Sequence, residues 1–349
     1  MNKKRLIVCD YDNPNKYTFP NFDMGSSEKR LWHFAKTASE IPGIEVVITG
    51  PLWLPQYVPL AKYFPKRLNQ ETVDEFIKKF GQFDYLFAGH EYFDKDEWII
   101  PFKKSARSLI SYQLHPYEYK KSSFNGKDKL LFCYSDEMMR LYTDQKPIKA
   151  LLFHSGVSEE PKFYEKPSSY VLWFGRIDRD KAFDIALKTS EFLSMPLVVM
   201  GKSVKDQVYL EKLKEEYDMS NVKFIGFKSG REKMEIIAKA ACILYTVADY
   251  FREAGAGIFG EALSSGVPVV GMSWTGDDAV ATAITSNNFG RIVKINQQTN
   301  EQISIQLNRS IEECLKLDRK IIRDYGISTY NPTLLVKKIL DIADERYKI

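Results

Sequence analysis

Two glutamates with seven residues between them mark the part of this chain with the clearest chemistry. The stretch runs Tyr250-Phe-Arg-Glu253-Ala-Gly255-Ala256-Gly257-Ile258-Phe-Gly260-Glu261-Ala-Leu-Ser-Ser-Gly266-Val-Pro268-Val-Val-Gly271. Glycines ahead of a short helix let backbone N–H groups approach a ligand closely, and a helix N-terminus favours phosphate. Gly255, Ala256, Gly257 and Ile258 stand where that approach would occur. Carboxylates beside such an anion site would repel the phosphate. They suit hydroxyls, which donate to them, as on sugars. The segment therefore suggests a nucleotide-sugar site, with Glu261 on ribose hydroxyls and Glu253 on the donor sugar. A second reading makes both carboxylates helix N-terminal charges that stabilise the dipole. That reading leaves the glycines at 255, 257 and 260 unexplained.

Some 70 residues earlier comes Gly175-Arg176-Ile-Asp-Arg179-Asp-Lys181, at the end of an apolar run. A lysine in a first helical turn opposes the dipole. Arg176 and Lys181 make sense together if they share an anion such as a departing diphosphate, whose developing charge they would stabilise. Alone they would also pass as solvated surface cations. The loop between Asp10 and Ser27 is long for a strand-to-helix connection and holds Met24-Gly25-Ser-Ser-Glu28. Gly25 would let backbone reach the diphosphate; equally, Ser26 or Ser27 would simply cap the next helix. Of four histidines, His33 reads as structural and His154 as a contact near a hinge. His90 and His115 follow strands, where ligands bind, and His115 is followed by the stiffening Pro116. No His, Cys, Asp and Glu set has metal-ligand spacing. The segment from Trp53 to Arg67 mixes aromatics with Lys62, Lys66 and Arg67. It fits either a membrane-facing surface or a packed loop.

The elements that must position these residues are legible as a repeating pattern. Strands are expected at Leu6–Cys9, Glu45–Thr49, Tyr85–Ala88, Leu109–Tyr112, Leu130–Cys133 and Ala150–Phe153. Helices lie between most of them; in Glu28–Ile41, residues Leu31, Phe34, Ala35, Ala38 and Ile41 share one face. After a polar linker at Pro161–Ser169 the pattern restarts. Strands follow at Tyr170–Phe174, Leu197–Met200, Val222–Ile225, Cys242–Tyr245, Val267–Val270 and Ile292–Val293, with a helix over Lys181–Phe192. Apolar strands alternating with helices mean parallel sheets covered on both faces. Two doubly wound α/β domains are implied, with a ligand cleft at the carboxyl ends of the strands. At 349 residues the chain suits two domains. A net charge of +4 is too small to imply nucleic acid as a partner. Cys9, Cys133, Cys242 and Cys314 are scattered in apolar runs and read as buried free thiols of a reducing, cytoplasmic compartment. Neither a signal peptide nor a membrane span is expected.

With these residues assembled, the chain resembles the GT-B fold retaining glycosyltransferases of family 4, the glycosyl transferases group 1. The resemblance covers essentially its whole length. Its most specific element is the pair Glu253 and Glu261 with the run Gly266–Val270; Gly175, Arg176 and Lys181 match the phosphate motif. Gly25 with Glu28 matches the first-domain glycine loop, and His115 the strand-end histidine that contacts the donor sugar. His154-Ser-Gly-Val157 is similar to the segment closing the first domain, and Leu334–Tyr347 to a terminal helix that crosses back onto it. The chain departs from the pattern at Ala254-Gly255-Ala256, Ser26 and Ala182.

The resemblance implies an acceptor-binding domain at 1–160, a nucleotide-sugar-binding domain at 161–330 and a returning helix at 331–349. It implies a hexosyltransferase that retains configuration and needs neither metal nor cofactor. Arg176 and Lys181 would carry the diphosphate, Glu253 and His115 the sugar. The donor would be a nucleotide-diphosphate sugar, the acceptor a saccharide or a lipid-linked group, with peripheral contact at the inner membrane face in the latter case. A sugar-nucleotide epimerase of the same architecture and a non-catalytic nucleotide-sugar-binding protein are the alternatives.

Overall fold

The computed structural model describes residues 3–10, 18–20, 26–89, 96–113, 129–143, 146–150, 161–203, 207–251, 253, 255 and 257–347. Gly25, His90, His115, His154 and Ala256 lie outside the described residues. The chain divides into two units, Met1–Val157 with Asn331–Ile349, and Ser158–Tyr330.

The first unit contains β1 (Lys4–Cys9), α1 (Ser26–Glu40), β2 (Ile44–Thr49), β3 (Lys62–Phe64) and α2 (Val73–Phe80). It continues with β4 (Phe83–Gly89), α3 (Asp96–Ser105), β5 (Ala106–Tyr112), β6 (Leu130–Cys133), α4 (Asp136–Leu141) and β7 (Ile148–Lys149). All seven strands pair in parallel, in the order β3-β2-β1-β4-β5-β6-β7. The central strands are mostly buried, while the edge strands β3 and β7 are short and partly exposed. Leu31, Phe34, Ala35 and Ala38 are buried, as their spacing on α1 requires, and so is Ile41 just past its end.

The second unit contains β8 (Val171–Phe174), α5 (Phe183–Ser190), β9 (Leu197–Met200), α6 (Gln207–Glu216), β10 (Val222–Phe224) and α7 (Gly230–Lys239). Then come β11 (Cys242–Tyr245), α8 (Gly257–Ser264), β12 (Val269–Ser273), α9 (Ala279–Ala283), β13 (Gly290–Lys294), α10 (Asn300–Cys314) and α11 (Arg319–Thr329). Its order is β10-β9-β8-β11-β12-β13, again all parallel. Leu172 of β8 is opposite Val198 on one side and Ile243 on the other. Chain direction across the sheet reverses between β8 and β11, the position where open α/β sheets hold ligands.

The last helix, α12 (Pro332–Tyr347), returns to the first unit. Val336, Ile339, Leu340 and Ala343 are buried there against α1 and β5. Asp344 accepts from Tyr85 and pairs with Lys4.

Several expectations change. Trp53 and Phe64 lie in the core: Trp53 stacks on Phe19 at 4.9 Å and donates its indole N–H to Thr49 O at 3.0 Å. The neighbouring cations are paired, Lys62 with Glu45 at 3.1 Å, Lys66 with Glu75 at 2.6 Å and Arg67 with Asp10 at 3.7 Å. The stretch is a packed segment carrying an edge strand, not an aromatic surface. The stretch Pro161–Ser169 is not a loose linker. Its Phe163 ring lies under Arg323 at 5.1 Å, and Ser168 N–H donates to Lys239 O at 2.8 Å, so it is fastened to the second unit. The strand expected at Ala150–Phe153 falls at Ile148–Lys149, and 151–153 are outside the described residues. All four cysteines are buried free thiols. Among the described residues no helix is long and apolar enough to cross a membrane.

Candidate functional site

The loops leaving β8, β9, β10 and β11 are laced together by backbone. Gly175 N–H donates to Met200 O at 3.2 Å, Ile177 N–H to Lys202 O at 3.1 Å, and Gly201 N–H to Gly226 O at 3.1 Å. A Cβ on residue 201 would lie 1.9 Å from Gly175 O, so only glycine allows the first two loops to touch. On the other side Ala248 N–H donates to Asp180 O at 3.0 Å, and the Thr246 hydroxyl to Lys181 O at 2.7 Å. Thr246 in turn accepts from the Trp173 indole at 2.9 Å. The loops after β8 and β11, either side of the reversal point, are thereby fixed to each other.

This lacing sets Lys181. The expected helix over Lys181–Phe192 begins later, at Phe183. Lys181 instead ends a 3-10 turn, Arg179–Lys181, and Asp178 caps that turn by accepting from Lys181 N–H at 3.2 Å. Ala182 takes a left-handed conformation, φ 42°, between turn and helix. Lys181 therefore does not stand in a first helical turn against the dipole. Its ammonium is held otherwise: it pairs with Glu253, 4.8 Å above the Phe251 ring and 5.8 Å from the Tyr245 ring. The Tyr245 hydroxyl donates to the same Glu253 oxygen at 3.4 Å. Two residues far apart in sequence, and both assigned to the donor, are thus side by side.

Arg176 is held on the same loop by Asp178 at 2.5 Å and Asp180 at 3.2 Å, with its guanidinium 6.0 Å from the Phe251 ring. Burial, opposed by Arg176, pushes the Asp178 carboxyl up from its ordinary value. Arg176 and Lys181 were expected to share an anion. Here each has its own carboxylate partner, and Phe251 lies under both.

Glu261 sits on α8, one turn beyond its start, so it is not a first-turn dipole charge. Glu253 precedes the helix. Gly255, between the two, has φ 131°, a conformation that only glycine takes without strain. Gly257 and Ile258 open the helix. Glu261 is 1% exposed, and its Oε1 accepts from Lys233 on α7 at 2.5 Å. Lys233 is 4% exposed, with Nζ 5.7 Å from the Phe174 ring at the end of β8. Lys233 and Phe251 were missed by sequence reasoning. A signal existed for Lys233, which falls on the apolar face of its helix with Met234, Ile237 and Ala238. Among the described residues no three His, Cys, Asp or Glu side chains are grouped to hold a metal ion.

Residues 158–324, just under half of the chain and nearly all of the second unit, match the family model of the glycosyl transferases group 1. No curated protein sequence matches. Among solved structures, a glycosyltransferase from Rickettsia africae is 13% identical, with all of both chains covered and a TM-score of 0.74. AviGT4, a glycosyltransferase involved in avilamycin A biosynthesis, is 16% identical over 100% of this chain and 97% of its own, with a TM-score of 0.72. HepE of Anabaena, solved with UDP, is 12% identical over 98% of this chain and 100% of its own, with a TM-score of 0.66. At such identities the likeness shows the fold, GT-B, with its two Rossmann-like domains.

Proposed function

We propose that this chain, a glycosyltransferase by the match of its second unit and the fold of both, moves a sugar from a nucleotide-diphosphate donor to a hydroxyl of a saccharide or lipid-linked acceptor, with retention. The observation that carries the reading is the meeting of Lys181 and Glu253 beside Arg176, at the point where the second sheet reverses direction. The neighbour solved with UDP adds support for a nucleotide donor.

In this reading the second unit binds the donor. Arg176 and Lys181 leave their carboxylates for the diphosphate, two cations stabilising charge as the bond from the anomeric carbon to the leaving oxygen breaks. That exchange frees Glu253 for the sugar hydroxyls. The new bond forms from the acceptor oxygen to the same face of the anomeric carbon, and the acceptor proton passes to a diphosphate oxygen. With its oxygens then taken by the sugar hydroxyls and the Tyr245 hydroxyl, Glu253 is a poor nucleophile, which favours this front-face course over a covalent intermediate. His115 and Gly25 are assigned to the donor on resemblance alone. The acceptor is assigned to the first unit, and no metal is required.

The test begins with a thermal-shift panel of nucleotide sugars, since a bound donor raises Tm by mass action. The best of them is then supplied with acceptor saccharides and excess EDTA, and the anomeric configuration of the product is read by NMR. Transfer with retention and no metal is expected. An inverted product, or activity that returns only with magnesium or manganese, would overturn the reading.

A further inference from the structure

Nothing in the proposed chemistry uses Lys233. It occupies a buried face of α7 alongside Met234, Ile237 and Ala238, where an alkyl side chain is the ordinary choice. A buried ion pair stabilises a fold little better than well-packed apolar residues of the same size, and often worse. The pair does something an apolar contact cannot: it fixes a carboxylate in one orientation and occupies one chosen oxygen. Three elements converge to do this. α7 brings the ammonium, α8 the carboxylate, and the end of β8 brings the Phe174 ring over which the ammonium rests. Glu261 Oε1 is taken by Lys233, and no other partner of Glu261 is found among the described residues.

We propose that Lys233 is a positioning residue that holds Glu261 so that its second oxygen accepts from the ribose 2′ and 3′ hydroxyls, and that it thereby sets the site's preference for an intact ribose. The inference rests on the ribose role proposed for Glu261. A hydrogen bond from a hydroxyl to a charged acceptor corresponds to roughly a 10- to 100-fold preference for the nucleotide that carries it. An acceptor that is free to rotate loses that discrimination, because holding it still becomes a cost of binding.

The experiment uses the full chain and titration calorimetry. UDP, GDP and ADP are compared first, and the tightest is paired with its 2′,3′-dideoxy counterpart. The wild type is expected to prefer the ribonucleotide by about 10- to 100-fold. In Lys233→Met the preference falls to about threefold or less because ribonucleotide binding alone weakens; dideoxynucleotide binding is unchanged. A purely structural role would weaken both ligands alike, which sinks the proposal. Should Lys233→Met fail to fold, Lys233→Gln keeps a donor without the charge and is read the same way. If Glu261→Gln loses the ribose preference while Lys233→Met keeps it, Lys233 is not the positioning group and the ribose reading stands. If Glu261→Gln also keeps it, or no diphosphate binds the wild type, the ribose reading falls and this inference with it.

Discussion

The two units share a strand order, apart from the extra edge strand β7 of the first, and differ in what their aromatic residues are for. In the first unit rings fill the core: Phe34 stacks on Phe87 at 3.8 Å, Phe64 meets Phe76 edge-on at 5.3 Å, and Phe19 covers Trp53. Of its cation–ring contacts, Arg5 on Phe83 at 4.1 Å lies where β1 and β4 begin, and Lys79 on Phe80 at 5.0 Å lies at the end of α2. The second unit keeps Trp173 and Phe183 inside, and its helices otherwise rest mostly on Leu, Ile, Val and Ala. Phe259 is also inside, Phe289 stacks on Tyr325 at 3.7 Å, and Phe163 and Tyr164 lie under Arg323 and Lys239 in the stretch before β8. Five further rings lie at the carboxyl edge beneath cations. Phe251 and Tyr245 lie under Lys181, Tyr209 under Arg179 at 4.7 Å, Phe227 under Lys202 at 5.4 Å and Phe174 under Lys233. A ring attracts a cation without cancelling its charge. Lys181 and Lys233 also pair with Glu253 and Glu261, so the carboxyl edge of the second unit brings ring, cation and carboxylate together where the first unit's rings fill a core.

The contrast breaks most sharply at Trp53. Trp53→Ala removes a core ring and should cost about 3–5 kcal/mol. At roughly 2–4 °C per kcal/mol for a unit of this size, calorimetry should show Tm down by some ten degrees. A shift under about one degree would mean that the segment packs loosely, and would restore the surface reading of Trp53–Arg67. Next in size are Arg176→Ala and Lys181→Ala, each expected to lower kcat by on the order of 10²–10³ while leaving Tm nearly unchanged. Near wild-type turnover in both would leave the rings under cations as decoration.

Gly201→Ala sharpens the point, because its Cβ would meet the Gly175 carbonyl and push the two loops apart. A loss of about 1–3 kcal/mol is expected, together with weaker nucleotide binding. Loss of stability with unchanged binding would separate the lacing from the site. The smallest effect belongs to Lys66→Glu on the first unit. It breaks an exposed pair whose contribution is under about 1 kcal/mol. It should also leave sedimentation with anionic vesicles unaltered, and a large loss of such binding would contradict the packed-segment description.

Most of the strands were legible because buried parallel strands are runs of Val, Ile, Leu and Phe, and β9 and β11 fall where those runs do. β3 was not legible: Lys62-Tyr63-Phe64 is three residues long, at the sheet's edge, with only Phe64 buried. In the site, Glu253, Glu261, Arg176 and Lys181 were readable as types at a spacing. Their pairings were not. Lys181 meets Glu253 from a 3-10 turn followed by a left-handed Ala182, a backbone that residue identity does not announce. Lys233 was hidden for another reason: a lysine on a helix defaults to solvent, and only its place on the buried stripe of α7 argues otherwise.

The return of α12 to the first unit bears on how the chain is made. Synthesis proceeds at about 5–20 residues per second, and early domains usually fold while later ones are still being translated. Here the order inverts. The first unit cannot complete its core until Asn331–Ile349 are made, and while Ser158–Tyr330 are translated the places of Val336, Ile339, Leu340 and Ala343 against α1 and β5 stand open to water. For on the order of ten seconds or more the nascent first unit exposes an apolar groove, the kind of surface a chaperone holds.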